Sequence, residues 1–460
     1  MPVKKIAILG GGITGLAAAM YLVRNGYNVS IFEKDSNIGG LASGKIINKN
    51  IYEYGPHFFH TNNPQILDEI KRIAGNELIK FERTILIKFM NDYFIYPLSI
   101  IEVLKKLPKK IVFRAFASLL KNNVIRILRK NRIENSETIL LGFYGRILYE
   151  LFFKNYIYHV WGIYPDKFSA EFAKERIPSI SASIFFNKII SPIRARFTKK
   201  TTDKFVENVD GQLYTTVKGY MGIIEKIADE VTIGGGKIFI ESEVINIKVN
   251  SGTVSGITYK SADNTIHKSD FDGVISTIPI TEAIFRMEPQ APPEILESAD
   301  FLEYRALVFV GILVNRPKVL PVSFMYFREH SFNRIYDSSY FSHDTVIPNS
   351  TIIVAEISSS GDDIWWNDDD YCKNKVLNDI LKENIISEID ILEMNVYRYR
   401  YGYPIYKFGY ETHLNKLLGF IEGLNNFRTA GRQGLFQYVN GHISIKMGFD
   451  AAENLIKSLK

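Results

Sequence analysis

The 460-residue chain has a single cysteine, Cys372. A disulfide framework and a cysteine-rich metal site are therefore excluded, and a reducing cytoplasm is the expected compartment. Histidines number only eight. His57 and His60 stand close together, but no further histidine or carboxylate cluster joins them, so their spacing does not make a metal site. The sequence has no apolar run near the ~18 residues that would span a bilayer. No secretory leader is expected, because Lys4 and Lys5 lead straight into an apolar stretch. A Gly-x-Ser-x-Gly elbow is missing, and no cysteine lies near a histidine motif, so the residues offer no nucleophile–base pair. The chemistry must come from a bound group. The net charge of +6 suits anionic small molecules, nucleic acid or a membrane surface without choosing among them.

What the chain does have begins at residues 5–44. An apolar run (6–9) enters a glycine turn in which Gly10, Gly12 and Gly15 have the G-x-G-x-x-G spacing, and Ala17, Ala18 and Ala19 open a helix. The first glycine permits the turn, the second lets backbone approach a pyrophosphate, and the third lets helix pack on strand. A second strand, 28–32, ends on Glu33, placed to accept from a ribose hydroxyl. Strand, helix, strand and acid arrive in register within one βαβ length, which makes this a dinucleotide site. Gly39-Gly40-Leu41-Ala42 comes next, and this second glycine pair resembles the extended fingerprint of the FAD-binding amine oxidase and mutase superfamily. FAD is favoured over NAD.

Beyond it lies Tyr52-Glu53-Tyr54-Gly55-Pro56-His57-Phe58-Phe59-His60-Thr61. Gly55-Pro56 forces a turn, and Asn63 is placed to cap a helix. Taken alone, the two histidines read most simply as loop residues. The run Gly-Pro-His-x-Phe-His-Thr, however, resembles the signature of the UDP-galactopyranose mutases, flavoenzymes that interconvert pyranose and furanose forms of a nucleotide sugar. The resemblance implies Gly55, Pro56 and His57 beside the isoalloxazine ring. Phe94-Ile95-Tyr96-Pro97-Leu98 resembles the strand that enters that family's helical domain.

Residues 99–132 read as basic amphipathic helices broken at Pro108, with ten lysines and arginines against one acid, Glu102. Such a face is either simply solvated or suited to anionic lipid. No aromatic platform interleaves with it, which argues against nucleic acid. Residues 142–178 read as an aromatic-rich helix, a loop around Gly162 and Pro165, and a helix capped by Ser169. Their Phe-x-x-Tyr, Trp-Gly and Arg-Ile-Pro order resembles the mutase segment that carries a uridine platform and a diphosphate clamp. It implies Tyr156 and Trp161 flanking the base and Arg176 on the diphosphate, where stacking surfaces and a forked cation suit the ligand.

Residues 179–211 depart from the compact mutases and more resemble protoporphyrinogen-oxidase-like members of the superfamily. A helix, a glycine turn at 234–236 and two strands come after it; the resemblance implies backbone at Val244 near the adenine. Residues 281–420 read as alternating strands. Within them Phe332-Asn333-Arg334-Ile335 resembles the mutases' second arginine motif, and Tyr401-Gly402-Tyr403-Pro404 the element that faces the sugar. Arg334 is thereby implied as a second diphosphate clamp and Tyr403 as a sugar contact. Ala430-Gly431-Arg432-Gln433-Gly434 turns toward the flavin, and a helix expected from about Ile443 aims its N-terminus at the pyrimidine edge. Tyr438 matches the next block in the mutases, but Asn440 and His442 stand where that family has acids.

The expected fold is α/β: a Rossmann-like FAD-binding domain (GR2-type) with an inserted helical domain and an antiparallel β-sheet substrate domain. The FAD-binding part would comprise 1–90, 205–280 and 421–460, the helical part 91–204, and the substrate part 281–420. The implied cofactor residues are Gly10, Gly12, Thr14, Gly15, Glu33, Lys34, Gly39, Gly40, Leu41, Ala42, Gly55, Pro56, His57, Val244, Gly431, Arg432, Ile443 and Ser444. Arg176, Arg334 and His57 are the implied catalytic residues; Tyr156, Trp161, Tyr403, Tyr438 and Asn440 are the implied substrate contacts. The resemblance implies a mutase whose reduced FAD attacks the anomeric carbon of a UDP-sugar through N5, in a cytoplasmic homodimer serving cell-surface polysaccharide synthesis. The alternative on the same scaffold is an amine or protoporphyrinogen oxidase with net redox turnover.

Overall fold

The structure is a computed structural model that describes residues 3–89, 92–95, 106–128, 134–177, 212–342 and 347–460, with the side chains at 116, 120–128, 175 and 176 excepted. The segment 178–211, which includes all of the stretch expected to diverge from the mutases, lies outside the described residues, as does 96–105.

Five parallel strands form the nucleotide half, in the order Phe427–Thr429, Gly273–Ser276, Lys5–Leu9, Asn28–Phe32, Lys237–Phe239. Ile6, Ala7, Ile8 and Leu9 are fully buried, as an unbroken apolar run requires when helices cover both faces of a parallel sheet. The helix Ile13–Arg24 packs on this sheet and is buried along most of its length. Its closeness depends on glycine. A Cβ at Gly15 would collide with the Gly10 carbonyl, and one at Gly448 with the Thr14 carbonyl under the final helix, Gly441–Leu459. A small mixed sheet (Ile266–Asp270, Thr253–Lys260, Glu243–Asn250, Met287–Glu288) flanks this half.

The second half rests on seven strands ordered Ile391–Pro404, Tyr304–Val314, Thr351–Ser359, Arg334–Asp337, Phe324–Tyr326, Ile85–Phe89, Asp92–Ile95. Two features differ from expectation. The sheet takes two strands from 85–95, sequence that was expected to belong to the FAD-binding and helical parts. It is also not wholly antiparallel, because Phe324–Tyr326 pairs in parallel with Ile85–Phe89. Burying Ile85, Phe89 and Phe94 draws that hairpin onto the sheet edge. Residues 280–301 go the other way: Ile280, Ala283, Ile284 and Ala299 share a core with Val244, Ile247 and Leu417.

After the helix Lys109–Leu128, the helix Ser136–Tyr149 opens where Asn135 and Thr138 form a capping box. The expected single helix over 142–161 is interrupted twice. Gly145 adopts a φ of 71° where the chain passes the Leu119 and Ser118 backbone, and Glu150–Lys154 forms a π-turn before Asn155–Trp161. Asn63 and Ser169 cap their helices as expected. Replacing Gly15 by alanine forces the helix off the sheet, so Gly15→Ala is expected to lose about 1–3 kcal/mol of stability in urea unfolding.

Candidate active site

The glycine turn opens into a cleft of about 750 Å³ between the two halves. Gly10 has a φ of 98° and donates its N–H to the Phe32 carbonyl at 2.9 Å. Gly12 heads the helix Ile13–Arg24 without a side-chain cap, so the helix presents its first N–H groups and the positive end of its dipole. Glu33 is buried, its carboxylate accepting from the N–H of Gly11 at 2.7 Å and of Asp35 at 2.9 Å. Burial raises its pKa, and those two donors oppose the rise. The N–H of Gly39 bonds the Gly11 carbonyl at 2.8 Å, and Gly39 and Gly40 have φ values of 103° and 55°. Both glycine motifs thus form one surface.

Thr14, Lys34, Leu41, Ala42, Pro56, Val244 and Ser444 also line the cleft. Three of the expected cofactor residues act from behind it. Gly15 permits helix–strand contact, Gly55 sits under the His57 ring, and Gly431, with φ 82°, makes room for Thr14. The Ile443 side chain is not among the lining residues, while its N–H belongs to the first turn of the final helix. The final helix starts at Gly441, two residues earlier than expected, which turns His442 and Ser444 inward and leaves Ile443 38% exposed.

Opposite the glycine turns stands a charged and aromatic wall. Arg334 donates through Nε at 2.9 Å and Nη2 at 2.5 Å to one oxygen of Glu356, and Tyr403 donates its hydroxyl to the other at 2.9 Å. Glu356 has only 3% of its side chain exposed, so its two partners are what make its burial tolerable. Burial disfavours the Arg334 charge, but Glu356 together with Tyr403, Tyr326 and Tyr438 outweighs it and holds the guanidinium protonated. Tyr403 stacks on Tyr438 with centroids 5.2 Å apart, and the Arg432 guanidinium lies 4.1 Å over Tyr438. Arg432 also donates to the Gly402 carbonyl at 2.7 Å. It was expected on the cofactor; here it lines the cleft while bracing the tyrosine pair.

Two expected substrate contacts are placed differently. Trp161 packs behind this pair, 5.3 Å from Tyr403 and 6.2 Å from Tyr438. Tyr156 is not among the lining residues; its ring faces Arg328 at 5.8 Å. The π-turn just before it widens the helix by a residue and re-aims the side chains beyond it. Tyr156 thus lies behind the cleft wall, within electrostatic reach of Arg334 and Glu356, as Trp161 lies behind the tyrosine pair. Asn440 is exposed on the cleft rim at the cap of the final helix. Arg176 ends the helix Ala170–Arg176, and its side chain lies outside the described residues.

Glu356 was missed from sequence, though a signal existed: it is the single acid in the apolar strand Thr351–Ser359, where only a paired charge can be buried. Arg83, Tyr220 and Tyr399, which also line the cleft, carried no such mark.

The donor set fits a flavin dinucleotide. Two uncapped helix N-termini face the same cleft as the buried Nδ1 of His57, which has no hydrogen-bond partner. Burial, then Arg334 and Arg432, lower the His57 pKa to about 3, so the ring is neutral and serves as a donor or acceptor rather than a cation.

These features are those of a flavoprotein, and the chain belongs to the flavin-containing amine oxidoreductases, whose family model matches residues 13–381. Within that family it is similar to nucleotide-sugar mutases. A probable UDP-galactopyranose mutase of Klebsiella pneumoniae is 27% identical over 185 residues, 38% of this chain and 45% of that protein. The dTDP-fucopyranose mutase of Escherichia coli is 26% identical over 202 residues, 40% and 49% of the two chains. The matched stretches thus span less than half the length of either relative. A reduced UDP-galactopyranose mutase shares the fold with a TM-score of 0.80 at 19% identity, covering 99% of this chain and 94% of that one. Cyclohexylamine oxidase from Brevibacterium oxydans shares it at 0.64, with 15% identity and full coverage of both chains.

A neutral His57 has a pH consequence. Its folded pKa lies below its unfolded value, so the unfolded chain binds the extra proton first and stability falls as pH drops through 6.5 toward 3. Between pH 6.5 and 5.5 the apoprotein is expected to lose about 1 kcal/mol from this group. Urea unfolding at the two pH values, with His57→Phe as comparison, should show a smaller loss in the variant.

Proposed function

We propose that the chain is a flavin-dependent nucleotide-sugar mutase that interconverts pyranose and furanose forms of its substrate. The observation that carries this reading is a single cleft holding both a dinucleotide-binding surface and the Arg334–Glu356–Tyr403 cluster beside stacked tyrosines. FAD is the flavin the double glycine motif suits, and a UDP-sugar is the substrate class suggested by the similarity to UDP-galactopyranose mutases. Bound and reduced, the flavin supplies an electron-rich ring nitrogen for the anomeric carbon.

The chain's own groups do the rest. Glu356 engages Nε and Nη2 of Arg334, which orients the fork and leaves Nη1 as the donor for a diphosphate oxygen. Holding the departing diphosphate in place makes its return to the sugar an intramolecular step. Arg176 joins it as the second cation of the clamp. Tyr403 and Tyr438 offer hydroxyls and ring faces to the sugar; Asn440 offers its amide at the rim. His57 hydrogen-bonds the flavin as a neutral ring.

Net oxidation of an amine is the competing chemistry. Its substrate is a cation, and Arg334 and Arg432 on the cleft wall would repel it. Family likeness alone supports the finer features: galactose as the sugar, a cytoplasmic homodimer and a role in surface polysaccharide synthesis.

Incubation with UDP-galactopyranose, and in parallel with dTDP-fucopyranose, should yield the furanose form only after dithionite reduction. Rapid reoxidation in air with an added amine and no furanose product would overturn the reading. Arg334→Ala is expected to lower kcat/KM at least 100-fold while flavin content is retained. Arg334→Lys, which keeps a charge opposite Glu356, should fall between; an unchanged kcat/KM in both would remove the clamp.

A further inference from the structure

Away from the cleft, the helix Lys109–Leu128, with Leu107 just before it, packs against the hairpin Ile85–Phe89 and Asp92–Ile95 through Leu107, Ile111 and Val112, with Phe89 and Phe94 buried beneath. The outer face of this unit has an unusual composition. Phe113 is 75% exposed, Ile95 59% and Tyr93 39%. Around them stand Lys106, Lys109, Lys110 and Arg114, all exposed. Lys106 reaches back across Phe94 to the Tyr93 carbonyl, which ties the helix start to the hairpin and puts the two sets of exposed groups on one unit. The sequence has no acid between Glu102 and Glu134 to neutralise the helix.

A solvated helical face has no use for a phenylalanine three-quarters exposed among three cations, whereas an interfacial helix needs that combination. The helix turns its other side, Ala115 and Leu119, inward, so the exposed stripe is not a core face left bare. A second copy of the chain would bring Lys109, Lys110 and Arg114 against their own counterparts, which like charges oppose. The apolar groups need a low-dielectric partner and the cations need fixed negative charge around it. No helix of the described residues is long and apolar enough to cross a membrane, so the contact would be a surface one.

We infer that this face docks on the headgroup layer of an anionic phospholipid bilayer, with Phe113, Ile95 and Tyr93 entering the interface and Lys106, Lys109, Lys110 and Arg114 meeting lipid phosphates. The inference stands independently of the reaction carried out in the cleft. Each lost basic side chain is expected to weaken partitioning about fivefold, and added salt to weaken it further.

The test is sedimentation of the flavin-loaded full chain with vesicles of phosphatidylcholine alone and of equal phosphatidylcholine and phosphatidylglycerol. The expected result is pelleting with the anionic vesicles only. The triple variant Lys109→Glu, Lys110→Glu, Arg114→Glu should remain in the supernatant, and Phe113→Ser should pellet less at unchanged charge. A charge-matched control on other elements, Lys237→Glu, Lys268→Glu and Lys416→Glu, should pellet as the parent does; flavin content reports that each variant is folded. Equal pelleting with both vesicle types, no pelleting at all, loss of pelleting in the control, or a triple variant that still pellets overturns the inference. So does retention on a duplex oligonucleotide with none on anionic vesicles, which would assign the face to nucleic acid.

Discussion

Everything in this molecule depends on how closely the helix Ile13–Arg24 lies on the strand Lys5–Leu9. Gly10 and Gly15 allow the contact, Gly448 lets the last helix close over it, and Gly431 clears space for Thr14. Had any of these carried a side chain, backbone would have met backbone or a β-branched neighbour. The close packing is what brings two helix N-termini and the second glycine pair to one surface. The backbone N–H groups turned toward that surface are donors suited to an anionic ligand, and only unfolding can remove them.

Charge on the opposite wall is arranged with similar economy. One buried carboxylate, Glu356, is bonded by Arg334 and Tyr403, and Tyr403 in turn stacks on Tyr438 under Arg432. Each member fixes its neighbour, so removing one leaves a buried polar group without its partner. Buried and with two cations nearby, His57 stays neutral, and the attraction for anions on this wall comes from Arg334 and Arg432.

The nucleotide half was legible from residues 5–44, because glycine spacing, strand period and a terminal acid are local and point to one geometry. The Arg334 and Tyr403 motifs were legible by resemblance, and both residues do reach the cleft. What escaped was non-local. Glu356 supports the cleft wall from behind because an arginine on the neighbouring strand meets it, which no local pattern displays. The strands at 85–95 join a sheet whose other members begin more than 200 residues later, and the π-turn that interrupts the helix just before Tyr156 has no local sequence signal. The start of the final helix was a smaller matter: it begins at Gly441, two residues before the position expected, which turns the Ile443 side chain outward.

The sheet order sets how the chain must come together in time. Lys5–Leu9 finds one neighbour at once in Asn28–Phe32, but the other, Gly273–Ser276, arrives much later, and beyond that comes Phe427–Thr429. The hairpin at 85–95 likewise waits for Phe324–Tyr326. A ribosome therefore releases hundreds of residues before either sheet is complete. During that interval apolar strand edges are open to other chains. Such a topology folds slowly, gains its cooperativity only when the C-terminal strand and helix dock, and makes the last forty residues a clasp for the first forty.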